Sequence, residues 1–245
     1  MMTERADSET FPMIGCPWQA CPPPVAIAMT RRRILAGAVV AGILNSASPR
    51  AAHAQATLTP DAALEQLIAG NRRFVAGTLD SFQEDLAILK DKNVAGQEPF
   101  AAVLSCADSR VPVELAFDQS IGHVFVARVA GNICTPEIIA SLEYGAAVLG
   151  TAVIMVLGHS GCGAVKATMA AQAVPGQISA LYAPIRRAVE QAGPDLEATI
   201  KANARIQADL LRTASPVVAD LTGKGKLKVV AAYYDIGSGK VNLLA

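Results

Sequence analysis

Four short apolar runs constrain the fold of this chain more strongly than any other feature. They cover residues 100–104, 124–127, 152–157 and 227–234. Each is mainly apolar at consecutive positions rather than at alternate ones, which is typical of strands buried on both faces of a sheet. Helical patterns lie between the runs, at about 136–149, 163–172, 178–191 and 195–213. This alternation predicts an α/β fold with a mostly parallel central sheet flanked by helices.

An N-terminal helical extension is expected before the first strand. Thr59-Pro60-Asp61 is a helix-start signal, and apolar residues follow at helical spacing through residue 76. A second helical stretch covers about 82–92. Because no Pro/Gly/Ser-rich linker divides residues 57–245, we expect them to form a single domain.

Cysteine and histidine residues follow two of the apolar runs. Cys106 comes shortly after the first run, and His159 follows the third, with Cys162 three residues further on. Ligands gather at the carboxyl ends of the strands in such sheets. Thiolates and neutral imidazole are preferred ligands of Zn²⁺, and three of them leave the fourth tetrahedral position to water. The pattern therefore predicts a catalytic zinc site.

Two other interpretations of these residues remain open at this point. A fourth protein ligand, from Asp108 or Cys134, would close the site, although buried cysteines also pack as small hydrophobic residues, and we interpret Cys134 in that way. A non-enzymatic zinc-binding or redox module could also use Cys106 and Cys162. An exchangeable water on the metal would distinguish an enzyme from such a module.

Two motifs around these residues resemble the signatures of the β-class carbonic anhydrases. They are CADSRVP at residues 106–112 and GHSGCG at residues 158–163. Further similar blocks lie at 63–77, 125–132, 141–146 and 234–239, so the resemblance covers essentially residues 57–245. It implies zinc-dependent, reversible hydration of carbon dioxide to bicarbonate and a proton, in a homodimer or homotetramer. Some relatives with this fold hydrolyse carbon disulfide or carbonyl sulfide, and substrate assays would discriminate these activities.

The resemblance also implies a role for each matching residue. Zinc would be bound by Cys106, His159 and Cys162. Asp108 and Arg110 would form the catalytic dyad of the family, in which Asp108 accepts a hydrogen bond from zinc-bound water and Arg110 holds the carboxylate. In the closed state of some members, Asp108 becomes a fourth zinc ligand.

Residues on the substrate side of the site follow from the same resemblance. Gln97 matches a glutamine that can hydrogen-bond bicarbonate, while Phe125, Tyr144 and Gly163 match positions that border the substrate. His123 departs from the acidic residue that is common at its position, and we interpret it as a loop histidine rather than a proton shuttle.

Residues 1–54 have the organisation of an export signal. Arg31-Arg32-Arg33 leads into an apolar run at 34–44, and Ala52-His53-Ala54 provides a small-x-small cleavage site. The apolar run is too short to span a bilayer as a helix. The paired arginines resemble a twin-arginine signal, so we expect a periplasmic protein without stable membrane insertion. Met29 offers a second start codon that would exclude residues 1–28.

The composition of residues 55–245 favours a small-molecule protein over a polyanion binder. Residues 55–245 carry 16 basic and 18 acidic residues, a formal net charge of −2, and contain no block of basic residues. We therefore expect no nucleic-acid partner. Three cysteines remain, and this odd number fits metal thiolates plus one spare better than a disulfide framework.

Overall fold

The computed structural model describes residues 58–81 and 96–245. In these residues one sheet contains the strands β1 (Ala101–Ser105), β2 (Val124–Arg128), β3 (Val153–His159), β4 (Lys228–Tyr234) and β5 (Val241–Leu244). Their order is β2-β1-β3-β4-β5; the first four are mutually parallel, and β5 is antiparallel to β4. The four predicted strands and the mostly parallel sheet are confirmed.

Helices cover both faces of this sheet. They are α1 (Pro60–Ala76), α2 (Val113–Ala116), α3 (Pro136–Ala147), α4 (Gly163–Ala170), α5 (Tyr182–Ala192), α6 (Leu196–Ala214) and α7 (Pro216–Gly223). On one face, α1 and α2 pack against Val103, Met155 and Leu157. On the other, α3, α6 and α7 pack against Leu104 and Val156. Consecutive strand residues therefore enter different cores, which explains why the runs are apolar throughout.

The predicted N-terminal helix begins and ends where its capping residues require. The Thr59 hydroxyl accepts a hydrogen bond from the backbone N–H of Ala62, and Pro60 occupies the first turn. Gly77 ends α1 in the left-handed conformation, with φ of 70°. The structure thus confirms α1, and the buried Leu67 faces the sheet.

Two buried polar residues, Asn71 and Asp118, hydrogen-bond α1 and the residues after it to neighbouring segments of the chain. The side-chain amide of Asn71 donates to the carbonyls of Ala116 and Gly239, and its oxygen accepts from the N–H of Val241. The fully buried carboxylate of Asp118 accepts hydrogen bonds from the Arg73 side chain, the backbone of residues 80 and 81, and the Ser81 hydroxyl. We call Asn71, Arg73, Ser81 and Asp118 the anchor cluster.

Helix α6 approaches β3 most closely at Gly158. A Cβ atom there would lie 3.1 Å from Cγ2 of Ile200 and 3.3 Å from the Ile200 carbonyl oxygen. Both contacts are tight, so the absence of a side chain at Gly158 allows the helix to reach the strand. The approach brings α6 against the end of β3 that carries His159.

The elements that the sequence did not predict are short or irregular. Asn242 interrupts the apolar pattern of the edge strand β5, while α2 and α7 are only four and eight residues long. The helix expected over 178–191 is divided into a 3₁₀ turn, Ile178–Leu181, and α5. Pro184 lies in the first turn of α5 and has no N–H for an earlier carbonyl, so the α-helix cannot continue backwards.

Two expectations fall on residues outside the described ranges: the helix at 82–92 and the export signal at 1–54. Within 58–81 and 96–245, no helix has both the length and the apolar character needed to cross a membrane.

Candidate metal centre

The carboxyl edge of the sheet brings three potential metal ligands together. Cys106 follows β1 directly and His159 is the last residue of β3. The register pairs Ser105 with Leu157, so the two ligands leave neighbouring strands at the same end. Gly161, with φ of 65°, turns the chain sharply, and Cys162 then caps the amino end of α4.

These three side chains converge in the protein interior. One ligand atom from each of Cys106, His159 and Cys162 lies within 4.8 Å of the others. Cys106 is 4% exposed, and the other two residues are fully buried. The arrangement places two sulfurs and one imidazole nitrogen around a common point, as a tetrahedral metal site with one open position requires.

The histidine is held with one ring nitrogen left for a ligand. Nδ1 of His159 lies 3.0 Å from the backbone carbonyl oxygen of Ser160, which can only accept a hydrogen bond. Nδ1 must therefore carry the proton, and Nε2 keeps its lone pair. Nε2 is buried and has no hydrogen-bond partner within residues 58–81 and 96–245. A buried acceptor without a partner is costly, and a bound cation would satisfy it.

The two thiols share a hydrogen bond. Hydrogen bonding from the Cys162 thiol lowers the pKa of Cys106, and the Gly131 N–H, which lies 3.3 Å from the Cys106 sulfur, acts in the same direction. The same bond, together with burial, raises the pKa of Cys162. Backbone N–H groups of the first turn of α4 act in the opposite direction on Cys162. A divalent cation would replace the shared proton and stabilise both thiolates, so the donor set fits a zinc ion.

An ion pair lies beside the three ligands. Nε and Nη2 of Arg110 donate to the two carboxylate oxygens of Asp108 at 2.9 and 2.7 Å, and the Arg110 backbone N–H adds a third bond. These bonds hold the pKa of the Asp108 carboxyl well below its usual range. Oδ2 of Asp108 lies 3.9 Å from Nε2 of His159. The structure therefore brings Asp108 and Arg110 together with the ligand set.

Neighbouring elements support the turn that carries Cys106 and Asp108. The side chain of Arg128, at the end of β2, donates to the carbonyl oxygens of both residues. The loop after β2 supplies the Gly131 N–H, and its own carbonyl accepts from the side-chain amide of Asn203 on α6. No sequence motif indicates a role for these three supporting residues, because they lie at least 20 positions from the Cys106–Asp108 turn.

Cys134 lies apart from the three ligands. Its thiol donates to the carbonyl of Gln207, and its backbone N–H donates to the Gln207 side chain. Burial raises the pKa of this thiol to about 12, so it stays protonated. The contacts agree with the interpretation of Cys134 as a packed, non-ligating cysteine.

The four residues expected on the substrate side occupy different places. Gly163 follows Cys162 and is exposed, with open space where a Cβ atom would be. Gln97 is exposed and precedes β1, so the length of that strand, roughly 15 Å, separates it from Cys106. Phe125 lies near the amino end of edge strand β2, with its ring centroid 6.4 Å from that of Tyr144. Within one chain, Gln97, Phe125 and Tyr144 are not gathered around the metal ligands.

His123 lies in the exposed turn before β2, at the opposite end of the sheet from Cys106. Its backbone carbonyl accepts from the N–H of Phe100, and its own N–H donates to Ser120. This position agrees with the interpretation of His123 as a loop histidine.

Most of the chain is similar in sequence to known carbonic anhydrases. A family model described as carbonic anhydrase matches residues 101–241. Carbonic anhydrase 2 of Mycobacterium tuberculosis is 32% identical over 195 residues, which are 75% of this chain and 92% of that protein.

Solved structures share the fold. A β-carbonic anhydrase of Coccomyxa, determined in complex with acetazolamide, is 28% identical with a TM-score of 0.57, over 74% of this chain and 86% of that one. A tetrameric β-carbonic anhydrase of Sordaria macrospora has a TM-score of 0.60 at 22% identity, over 74% of this chain and 96% of that one. With this fold and this cluster of two cysteines and one histidine, the chain belongs to the β-class carbonic anhydrase family.

Proposed function

We propose that this protein catalyses the zinc-dependent, reversible hydration of carbon dioxide to bicarbonate and a proton. The observation that carries the proposal is the convergence of Cys106, His159 and Cys162 beside the Asp108 carboxylate. The unpartnered Nε2 of His159 marks this convergence as a place for a cation rather than a completed hydrogen-bond network.

Zinc is the metal that this donor set suits best. Two thiolates and one imidazole combine soft and borderline ligands, and three protein ligands leave one position open. When bound here, Zn²⁺ would supply the Lewis acidity that makes water a nucleophile near neutral pH. Asp108 stays outside the ligand set as long as Arg110 holds it, and would become a fourth ligand only if that ion pair opened.

Asp108 and Arg110 orient the attacking water. The pKa of the Asp108 carboxyl is lowered, so the group is ionised at neutral pH. It therefore accepts a hydrogen bond rather than delivering a proton. Its bidentate pairing with Arg110 fixes the direction of that acceptor. A water aligned in this way presents a lone pair to the carbon of CO₂, and the open space beside Gly163 leaves room for the substrate.

We also propose that the working enzyme is a homo-oligomer, in which a second copy supplies Gln97, Phe125 and Tyr144 to the substrate side. Tyr144 on α3 is 47% exposed, and its ring lies beside that of Phe125 on edge strand β2, so this side of the molecule is available to another chain. The tetrameric relative from Sordaria macrospora supports an assembly, and a homodimer would be its smallest unit.

Mixing two inactive variants tests this arrangement. Cys162→Ala removes the metal site of one chain, and Tyr144→Ala removes the substrate side contributed by the other. If the two sets of residues come from different copies, co-expressed variants should recover about a quarter to half of wild-type activity. Failure to recover any activity in a mixed oligomer, identified by differently tagged chains, would contradict the shared site.

Stopped-flow CO₂ hydration on purified protein of known metal content tests the function itself. We expect turnover that rises with zinc occupancy to one ion per chain. Carbon disulfide and carbonyl sulfide are assayed in parallel. Zinc-loaded protein that hydrolyses either sulfur compound but leaves CO₂ unchanged would contradict carbonic anhydrase activity.

We further propose that residues 1–54 direct the folded, zinc-loaded protein to the periplasm through the twin-arginine route. Thiolates are at risk of oxidation there, and loading zinc before export avoids that risk. Replacing Arg31, Arg32 and Arg33 with Lys should leave active enzyme in the cytoplasm, whereas Arg5→Lys should not. Full periplasmic activity of the triple variant in fractionated cells would contradict this route.

A further inference from the structure

Arg128 contacts the turn that carries both a metal ligand and the dyad carboxylate. It is the last residue of β2 and lies opposite Ser105 in the β1–β2 ladder. Its Nε donates to the carbonyl oxygen of Cys106 at 2.9 Å, and its Nη2 donates to the carbonyl oxygen of Asp108 at 2.6 Å. One planar guanidinium therefore binds two carbonyls that are two residues apart.

These bonds act on the backbone and not on the reacting groups. The Asp108 carboxylate is already held by Arg110, which fixes its two oxygens relative to the Arg110 side chain. That pair alone does not fix the position of the turn relative to the sheet. Arg128 does so, because it joins both carbonyls of the turn to the neighbouring strand.

We propose that Arg128 is a positioning residue for the reaction, which sets the distance between the Asp108 carboxylate and the metal ligands through the Cys106–Asp108 backbone. This inference rests on the proposed function. A lysine would keep the charge but could not bridge two carbonyls in one plane, because its ammonium lacks the rigid fork of donors. If only the charge of Arg128 matters, Arg128→Lys should keep wild-type turnover. If Arg128 positions the turn, the same substitution should slow the reaction.

The matched control is Arg212→Lys. The side chain of Arg212 likewise donates to a backbone carbonyl, that of Val229, but at the amino half of β4. We expect Arg128→Lys to keep one zinc per chain and a similar KM while kcat falls about 10- to 100-fold, the loss typical of a misplaced group. Arg212→Lys should keep wild-type kcat.

A double-mutant cycle with Asp108→Asn separates positioning from general stabilisation. If Arg128 acts through Asp108, the double variant should be no slower than Asp108→Asn alone. Arg128→Gln, in which one amide nitrogen replaces the two guanidinium nitrogens that bind the carbonyls, should behave like Arg128→Lys in the same cycle.

Three outcomes would overturn the assignment: kcat of Arg128→Lys equal to that of Arg212→Lys, additive effects in the cycle, or loss of folding in both Arg128 variants, judged by circular dichroism. The last would make Arg128 a structural residue. A wild-type protein that does not hydrate CO₂ would instead contradict the proposed function, so the two failures are distinguishable.

Discussion

The metal centre and the anchor cluster are both built from buried polar side chains, yet they are completed differently. Every side-chain oxygen and nitrogen of Asn71 and Asp118 has a partner within the chain. At the metal centre, Nε2 of His159 has no partner among the described residues, and Cys106 and Cys162 shift each other's pKa in opposite directions. A satisfied cluster stabilises the fold. The unsatisfied one indicates a ligand that the chain does not itself provide.

The largest effect is expected from removing one metal ligand, because the metal centre, unlike the anchor cluster, should be needed for zinc binding and activity. We expect His159→Ala to lose both zinc and CO₂ hydration completely, because two thiolates alone cannot hold the ion in a three-ligand site. Zinc is measured by mass spectrometry and activity by stopped flow. The control, His123→Ala, alters an exposed histidine and should retain both. Stoichiometric zinc in His159→Ala would disprove the ligand assignment.

Weakening the dyad should affect turnover but not metal content. We expect Asp108→Asn to keep one zinc per chain and to hydrate CO₂ about 10²-fold more slowly, because the attacking water is no longer oriented. The control is Asp220→Asn, which alters the exposed ion pair between Asp220 on α7 and Lys224 just after it. Near-normal turnover of Asp108→Asn at every pH tested would remove the dyad from the mechanism.

The anchor cluster should show the reverse behaviour. Asp118→Asn places an amide N–H₂ among donors, so we expect the free energy of unfolding to fall by about 2–4 kcal/mol. Zinc per folded chain and kcat should not change. Denaturant titration measures the loss, with Asp61→Asn as control, because Asp61 is exposed and pairs with Lys228 outside the anchor cluster. If Asp118→Asn lost metal at unchanged stability, the distinction between the clusters would fail.

The pH dependence of stability should also report on Asp118. Burial raises its pKa, but the hydrogen bonds from Ser81, Arg73 and Asp80 prevail and lower it from 3.8 to about 2. The ionised group therefore stabilises the fold above pH 4, and this contribution disappears as the pH falls towards 2. The stability difference between wild type and Asp118→Asn should shrink over that range. A constant difference from pH 6 to pH 3 would contradict this origin.

The smallest effect is expected at Cys134, which resembles the metal ligands only in residue type. Cys134→Ala should cost about 1 kcal/mol, because it removes one neutral hydrogen bond and a small buried group. Zinc content and turnover should stay at wild-type values, whereas Cys106→Ala should lose both. Loss of zinc from Cys134→Ala would show that the two classes of cysteine had been wrongly separated.

Local patterns predicted what depends on local causes. The runs at β1 and β3 are apolar because both of their faces are buried, and Thr59-Pro60 marks the start of α1 in the sequence itself. The ligands were identifiable because each lies in a short motif at the end of such a run. The edge strand β5 was missed because it is short and half-exposed.

Other parts of the site depend on contacts between distant residues. The Arg128 contacts with the Cys106–Asp108 turn become visible only when β1 and β2 are paired. The same holds for the Gly131 N–H, which reaches the Cys106 sulfur from the next loop. The roles of Gln97 and Tyr144 depend on the proposed oligomer, because within one chain these residues lie away from the metal ligands.

The close approach of α6 at Gly158 helps to fix the register of β3 in the sheet. A strand with two apolar faces can shift by one residue without exposing its side chains, so its burial pattern alone specifies alignment weakly. Such a shift in β3 would bring Leu157 or His159 against Ile200. A Cβ atom at this place would lie only 3.1 Å from Cγ2 of Ile200. The missing side chain at Gly158 thus disfavours this misaligned sheet, in which His159 would no longer lie beside Cys106.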